Sequence, residues 1–185
     1  AAACGLSPWT HRDQLIADKI AGTVHPQTPA MWHGTMLEAA VLGMVAERRS
    51  LTTSWPTPLI YDDAMAGTHV HPRHDWALYN PDAVTTDGVL VEAKTADRRD
   101  ILTGDDWDDP LRDAHAWGRA GTDRVPMHYL YQVQWGLGIL GLDRAILAIL
   151  AAGERGFDFA TYPIRFNPAL FTALLRAGQR FITDL

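Results

Sequence analysis

The sequence predicts an α/β (α+β) domain in which helices flank a mixed central β-sheet. Helical spacing opens and closes the chain and recurs between the strand-like runs, which alternate with helices instead of forming one block. The longest apolar run, Ala145 to Ala152, has the length of a buried strand. At 185 residues, 47% of them hydrophobic and 21% charged, the chain suits one compact domain over 1–185 with a real core.

The elements follow in order. A first helix is expected over Asp13–Ala21. A second runs from Gly34 to Arg48, where Leu37, Val41, Met44 and Val45 fall at i, i+4, i+7 and i+8. Trp55-Pro56-Thr57-Pro58 then marks a turn or an edge. From Thr68 to Thr95 the pattern is strand-like, broken at Asn80-Pro81-Asp82 and at Thr86-Asp87-Gly88. Val89-Leu90-Val91-Glu92-Ala93-Lys94 is the clearest strand. Residues 97–122 hold Asp105-Asp106-Trp107-Asp108-Asp109-Pro110 and several glycines, and predict a long, mobile loop insertion. A helix follows from Pro126, near its first turn, to Leu140, with Gly141 ending it. Strands are expected over Arg144–Ala151 and Phe157–Arg165, and a last helix after Asn167-Pro168.

Composition removes several classes of function. No apolar run approaches the roughly 20 residues of a membrane span. The opening Ala1-Ala2-Ala3-Cys4-Gly5 has neither a basic nor a long apolar region, so no secretory leader is expected; a start without Met suggests that a few residues are missing or removed. The one cysteine, Cys4, excludes an internal disulfide, a cysteine-cluster metal site and an iron–sulfur cluster, and fits a reducing cytoplasm. A net charge of −6 argues against holding nucleic acid by bulk charge alone. Carboxylates that hold cations, with local Arg and Lys clusters for phosphates, remain compatible with it.

The densest chemistry is Pro81-Asp82, nine intervening residues, then Glu92-Ala93-Lys94. Alternation along a strand puts Glu92 and Lys94 on one face with Leu90, about 7 Å apart at Cα, and puts Val89, Val91 and Ala93 on the other. Charges in a strand otherwise suited to burial need partners. Asp82 could bring a second carboxylate to the Glu92 end. Two carboxylates and a backbone carbonyl form a hard oxygen site suited to Mg²⁺, which also takes phosphate oxygens. A nearby lysine can orient or deprotonate the attacking water, its pKa lowered by burial and raised by the carboxylates. The bland alternative is a turn aspartate and a solvated Glu–Lys pair. Glu38 follows the apolar stripe of the second helix, either snorkelling to water or reaching the cleft as a third carboxylate. Gln132, in Tyr131-Gln132-Val133-Gln134-Trp135, either lies on a helix surface or turns an amide inward.

Taken in succession, these residues resemble a family. Gly5-Leu6-Ser7-Pro8-Trp9, His33-Gly34-Thr35-Met36-Leu37-Glu38, Asn80-Pro81-Asp82-Ala83, Val91-Glu92-Ala93-Lys94-Thr95 and Tyr129-Leu130-Tyr131-Gln132-Val133-Gln134 are similar to the YqaJ-type viral recombinases, the phage lambda exonuclease-like branch of the PD-(D/E)xK nucleases. The resemblance runs from Ala1 to about Leu150. It implies a restriction-endonuclease-like core and an Mg²⁺-dependent DNA exonuclease, with Mn²⁺ as a possible substitute. It implies digestion from duplex DNA ends, 5′ to 3′, in phage-type recombination beside a single-strand annealing protein, in the host cytoplasm. A closed homotrimeric ring is also implied, and topology would then replace positive charge in keeping an acidic protein on DNA. By the same resemblance Asp82, Glu92 and the Ala93 carbonyl hold the metal, Glu38 supports it or its water, Lys94 serves the nucleophile and Gln132 completes the cleft. Ser7 would approach the terminal phosphate, or cap the helix that follows. Ala83 stands where the family has Gly, and Ala93 where a larger aliphatic residue is usual; neither change removes a ligand. A restriction-type or structure-specific endonuclease and a catalytically inactive DNA-binding protein are the alternatives.

Other signals are weaker. His69-Val70-His71, with His74 nearby, has same-face spacing compatible with zinc or manganese but lacks a third ligand; contact with DNA is the other reading. Of the seven tryptophans, Trp32, Trp76 and Trp135 are expected in the core, and Trp9 and Trp107, in loops, could stack bases. Arg98, followed by Arg99, could bind phosphate or be merely solvated. Ser7, His11 and Asp13 lie too close in the chain for a triad.

Overall fold

The computed structural model describes residues 2–5, 7–51, 60–97, 117–153 and 156–185. A short 3₁₀ turn, Ala2–Cys4, leads to α1 (Arg12–Ala21) and α2 (Pro29–Leu51). After a second 3₁₀ turn, Asp63–Met65, come β1 (His69–His71), β2 (His74–Tyr79), β3 (Ala83–Val84) and β4 (Leu90–Asp97), then α3 (Met127–Leu140), β5 (Arg144–Gly153), β6 (Gly156–Arg165) and α4 (Pro168–Thr183). The main sheet has the order β3-β4-β5-β6. It is mixed, as expected: β4 pairs parallel with β5, while β3–β4 and β5–β6 are antiparallel. The parallel step requires a crossover, and α3 lies within it. β1 and β2 form a separate hairpin.

Alternation along β4 sorts the core into two layers. Leu90 joins Leu137, Leu147, Ile149 and Tyr162 in the larger cluster, to which α3 contributes Val133 and Leu137. Val91 and Ala93 face the other way, toward Val41 and Val45 of α2, with Ala148 and Leu150 of β5. The apolar stripe read from α2 is thus the one buried. Trp32 is not: nine residues before Val41 is two and a half helical turns, so it projects from the opposite side and is 51% exposed. This corrects its expected place in the core. Trp76 and Trp135 do pack against the larger cluster.

Helix ends follow local chemistry. α2 starts five residues before the expected Gly34 because the Thr28 hydroxyl accepts from the Met31 N–H and Pro29 takes the first helical position. Gly141, at φ 69°, ends α3 in the left-handed conformation. Asn167 caps α4 through the Leu170 N–H. The expected loop over 97–122 falls mostly outside the described residues, as do the acidic run 105–109, Trp107 and Arg98. Its last part, 117–122, is described and anchored. Trp117 is buried against Tyr129 and Tyr162, and the Gly118 carbonyl accepts from the Tyr162 hydroxyl. Among the described residues no helix is long and apolar enough to cross a membrane.

Candidate active site

The site forms where the short strand β3 leaves part of the β4 edge unpaired. Ala83 pairs with Val91 and Val84 with Leu90, so continuing the register places Asp82 opposite Glu92. There the chain turns away, and the Asp82 carboxylate takes over the pairing: Oδ2 accepts from the Ala93 N–H at 2.7 Å. The Pro81-Asp82 turn and the Glu92-Ala93-Lys94 strand are thereby tied together.

On the α3 face of β4, Glu92 is 1% exposed and accepts from three donors. Lys94 Nζ donates to Oε1 at 2.8 Å, Gln132 Nε2 of α3 donates to the same oxygen, and the Tyr79 hydroxyl donates to Oε2. Lys94 Nζ is also 4.0 Å from Asp82 Oδ2 and 6.0 Å from the centre of the Tyr129 ring. A cleft of about 820 Å³ opens beside this cluster, lined by Glu38 of α2, Asp82, Ala93, Lys94, Tyr129, Gln132 and Trp9, among others. Glu38 therefore lies in the cleft wall, half-buried.

Three carboxylates against one ammonium leave the site short of positive charge. Burial, reinforced by Asp82, pushes the Glu38 carboxyl above its ordinary value against the pull of Lys94. Glu92 is likewise raised, first by burial and then by Asp82, with Lys94 the main opposing influence. For Lys94, burial pulls downward, but Glu92 and Asp82 outweigh it and hold the ammonium above the ordinary lysine value. The balance anticipated from sequence thus falls on the side of the charged form.

Such a donor set fits a hard divalent cation. Asp82 and Glu92 are carboxylates brought to the same end of β4 by the Asp82–Ala93 hydrogen bond, and their negative charge is what a dication offsets. Asp82 Oδ1 has no hydrogen bond among the described residues. Among those residues no three Asp, Glu, His or Cys side chains form a metal cage on their own. An open set, completed by water and phosphate oxygens, is the mode Mg²⁺ ordinarily adopts.

The remaining candidates separate. Trp9 is 72% exposed at the cleft, its ring edge-on to His128 with centroids 5.1 Å apart. Ser7 Oγ accepts from the Trp9 and Thr10 N–H groups at 3.2 and 3.3 Å, so it orders its own turn, ahead of α1. The histidines of the hairpin are used in packing: His69 bonds the Met65 carbonyl, and buried His71 lies against His74 and Phe171. Of the two α3 glutamines, Gln134 is the more buried, but it bonds the Arg165 carbonyl and the Asn167 N–H and serves the scaffold. Tyr79 escaped the sequence reading. Its alternation with Ala77 on the buried face of β2, directly before Asn80-Pro81-Asp82, marks it as buried but does not name Glu92 as its partner.

Residues 1–143 match the model of the YqaJ-like viral recombinase domain. The fold is similar to that of the alkaline exonuclease LHK-Exo from Laribacter hongkongensis, with a TM-score of 0.62 and 16% identity over 99% of this chain and 84% of that one. A second crystal structure, LHK-Exo in complex with dAMP, gives a TM-score of 0.57 and 17% identity over 93% and 76% of the two chains. Among curated proteins no sequence matches.

Proposed function

The chain belongs to the YqaJ-like viral recombinase domain family, and from that premise we propose that it is an Mg²⁺-dependent exonuclease hydrolysing phosphodiester bonds from duplex DNA ends. The observation that carries the reading is the joining of Asp82 to β4 at Ala93, with Asp82, Ala93 and Lys94 in the wall of one cleft and buried Glu92 bonded to Lys94. The fold shared with an alkaline exonuclease supports it.

Asp82, Glu92 and the Ala93 carbonyl would hold the magnesium ion, with Glu38 supporting it or one of its waters. When bound, the ion lowers the pKa of a coordinated water and offsets charge developing on the phosphoryl oxygens. The chain's own groups do the positioning. Lys94 orients the attacking water and donates to a phosphoryl oxygen, and Gln132 braces the Glu92 carboxylate. Trp9, exposed at the cleft, offers a face on which a base can stack. Ser7, whose oxygen already accepts two backbone N–H groups, retains its own proton to donate to a terminal phosphate. Arg98 would meet the backbone just beyond β4. The reading extends to 5′-to-3′ polarity, to a partner that anneals the exposed single strand, and to a ring-forming homotrimer that encloses DNA, in the host cytoplasm.

Digestion of linear duplex labelled separately at each end, with Mg²⁺ and with chelator, tests it. Mg²⁺-dependent release of mononucleotides from the 5′-labelled strand is expected, with a covalently closed circle left intact. Cleavage of the closed circle would transfer the chain to an endonuclease reading. No cleavage of any DNA would indicate a binding protein on the same fold.

A further inference from the structure

Glu92 is held by three donors, and they are not equivalent. Lys94 and Gln132 both line the cleft, where a cation competes with them for Glu92 Oε1 and a phosphate can accept from them. Tyr79 does not. It reaches Glu92 from the hairpin side through Oε2, in a position that a ligand in the cleft leaves undisturbed. The phenol is buried, 7% exposed, and its ring is seated against the α3 backbone at Gly136. A Cβ on Gly136 would come within 2.4 Å of the Tyr79 Cζ and 2.8 Å of its hydroxyl. That notch fixes the ring, and the ring fixes the hydroxyl.

We propose that Tyr79 is a positioning residue for the reaction: seated in the Gly136 notch, it pins Glu92 Oε2 so that Oε1 stays on the side of Lys94, Gln132 and the cleft. A carboxylate rotates readily about its last bond, and a single well-placed donor on the far oxygen removes that freedom. Partners that orient a metal-binding carboxylate in this way typically contribute about 10- to 100-fold to metal affinity. The inference rests on the proposed role of Glu92 as a cation ligand.

Two variants of the full chain test it. Tyr79→Phe keeps the ring in its notch and deletes only the hydroxyl; Gly136→Ala keeps the hydroxyl and displaces the ring. Mn²⁺ binding without DNA is followed by isothermal titration calorimetry, the Mg²⁺ concentration for half-maximal DNA digestion is measured in parallel, and folding is checked by thermal melting. For Tyr79→Phe, Mn²⁺ affinity and the half-saturating Mg²⁺ are expected to shift by about 10-fold or more, while the rate at saturating Mg²⁺ falls less. A folded Tyr79→Phe protein with wild-type cation affinity overturns the proposal, even where its melting temperature has dropped. If Tyr79→Phe does not fold, Gly136→Ala decides by the same titration: weakened binding supports the role of Tyr79 and unchanged binding overturns it. Wild-type protein that neither binds Mn²⁺ nor digests DNA defeats instead the underlying reading of Glu92, a result separate from failure of the Tyr79 inference alone.

Discussion

Replacing Lys94 by methionine keeps an unbranched apolar stem and removes the ammonium, leaving Glu92 without its cationic partner in a site that is 1% exposed. The Nζ–Oε1 distance is 2.8 Å and the Lys94 side chain is 18% exposed, so the pair is treated as buried. Removing one partner of such a pair costs about 3–5 kcal/mol. Tyr79 and Gln132 still donate to the carboxylate, which places the expected loss near the lower end, about 3 kcal/mol. For a chain of this size that is roughly 6–12 °C in melting temperature. The loss should depend on pH with a definite sign. Glu92 has a folded pKa above its ordinary value of 4.5, so its protonated form contributes stability at low pH that is lost as pH rises through the folded value. Lys94 is the main influence holding that value down, and without it the folded value climbs further. The deficit of Lys94→Met should therefore be largest near pH 8 and shrink toward pH 5, read by calorimetry in chelator so that no cation contributes. Adding Glu92→Gln should restore part of the stability. An equal deficit at both pH values, or none, would refute the picture of a buried pair.

Other perturbations separate chemistry from scaffold. Asp82→Asn keeps an oxygen for the Ala93 N–H but removes one carboxylate charge from the proposed cation set; DNA digestion should fall by about 100-fold or more, on the scale of losing electrostatic stabilisation, with little change in melting. Gln132→Ala should reduce digestion and cation affinity by about tenfold. Gln134→Ala should leave cation affinity intact and cost about 1–3 kcal/mol in urea unfolding, because it abandons the Arg165 carbonyl and the Asn167 N–H. Gly138→Ala would place a Cβ 2.3 Å from the Phe171 ring and should cost about 1–3 kcal/mol by the same measurement.

The order of elements was largely legible because each carries a local signature. Ala145–Ala152 reads as a buried strand and lies inside β5; the Asn167-Pro168 pair caps α4. The β4 face carrying Leu90, Glu92 and Lys94 follows from period two alone. Element ends governed by a side chain were less visible. The Thr28-Pro29 cap extends α2 well before its apolar periodicity begins. Trp32, expected in the core, is turned outward by its phase on α2. Tyr79 was missed for another reason. Its contact with Glu92 joins a separate hairpin to the sheet across α3, and no local spacing encodes which residue of α3 must be glycine to admit the ring. The part of the insertion that lies in 117–122 read as loop from its glycines, yet Trp117 roots it in the core.

The claim beneath these expectations is that Asp82 and Glu92 jointly hold a divalent cation. Crystals equilibrated with Mn²⁺ and measured at the manganese absorption edge test it without reference to activity. An anomalous peak within about 2.0–2.3 Å of oxygens from both carboxylates and from the Ala93 carbonyl is the predicted result. A fully loaded crystal showing no peak there, or a peak bound by only one of the two residues on the far side of Lys94, would contradict it.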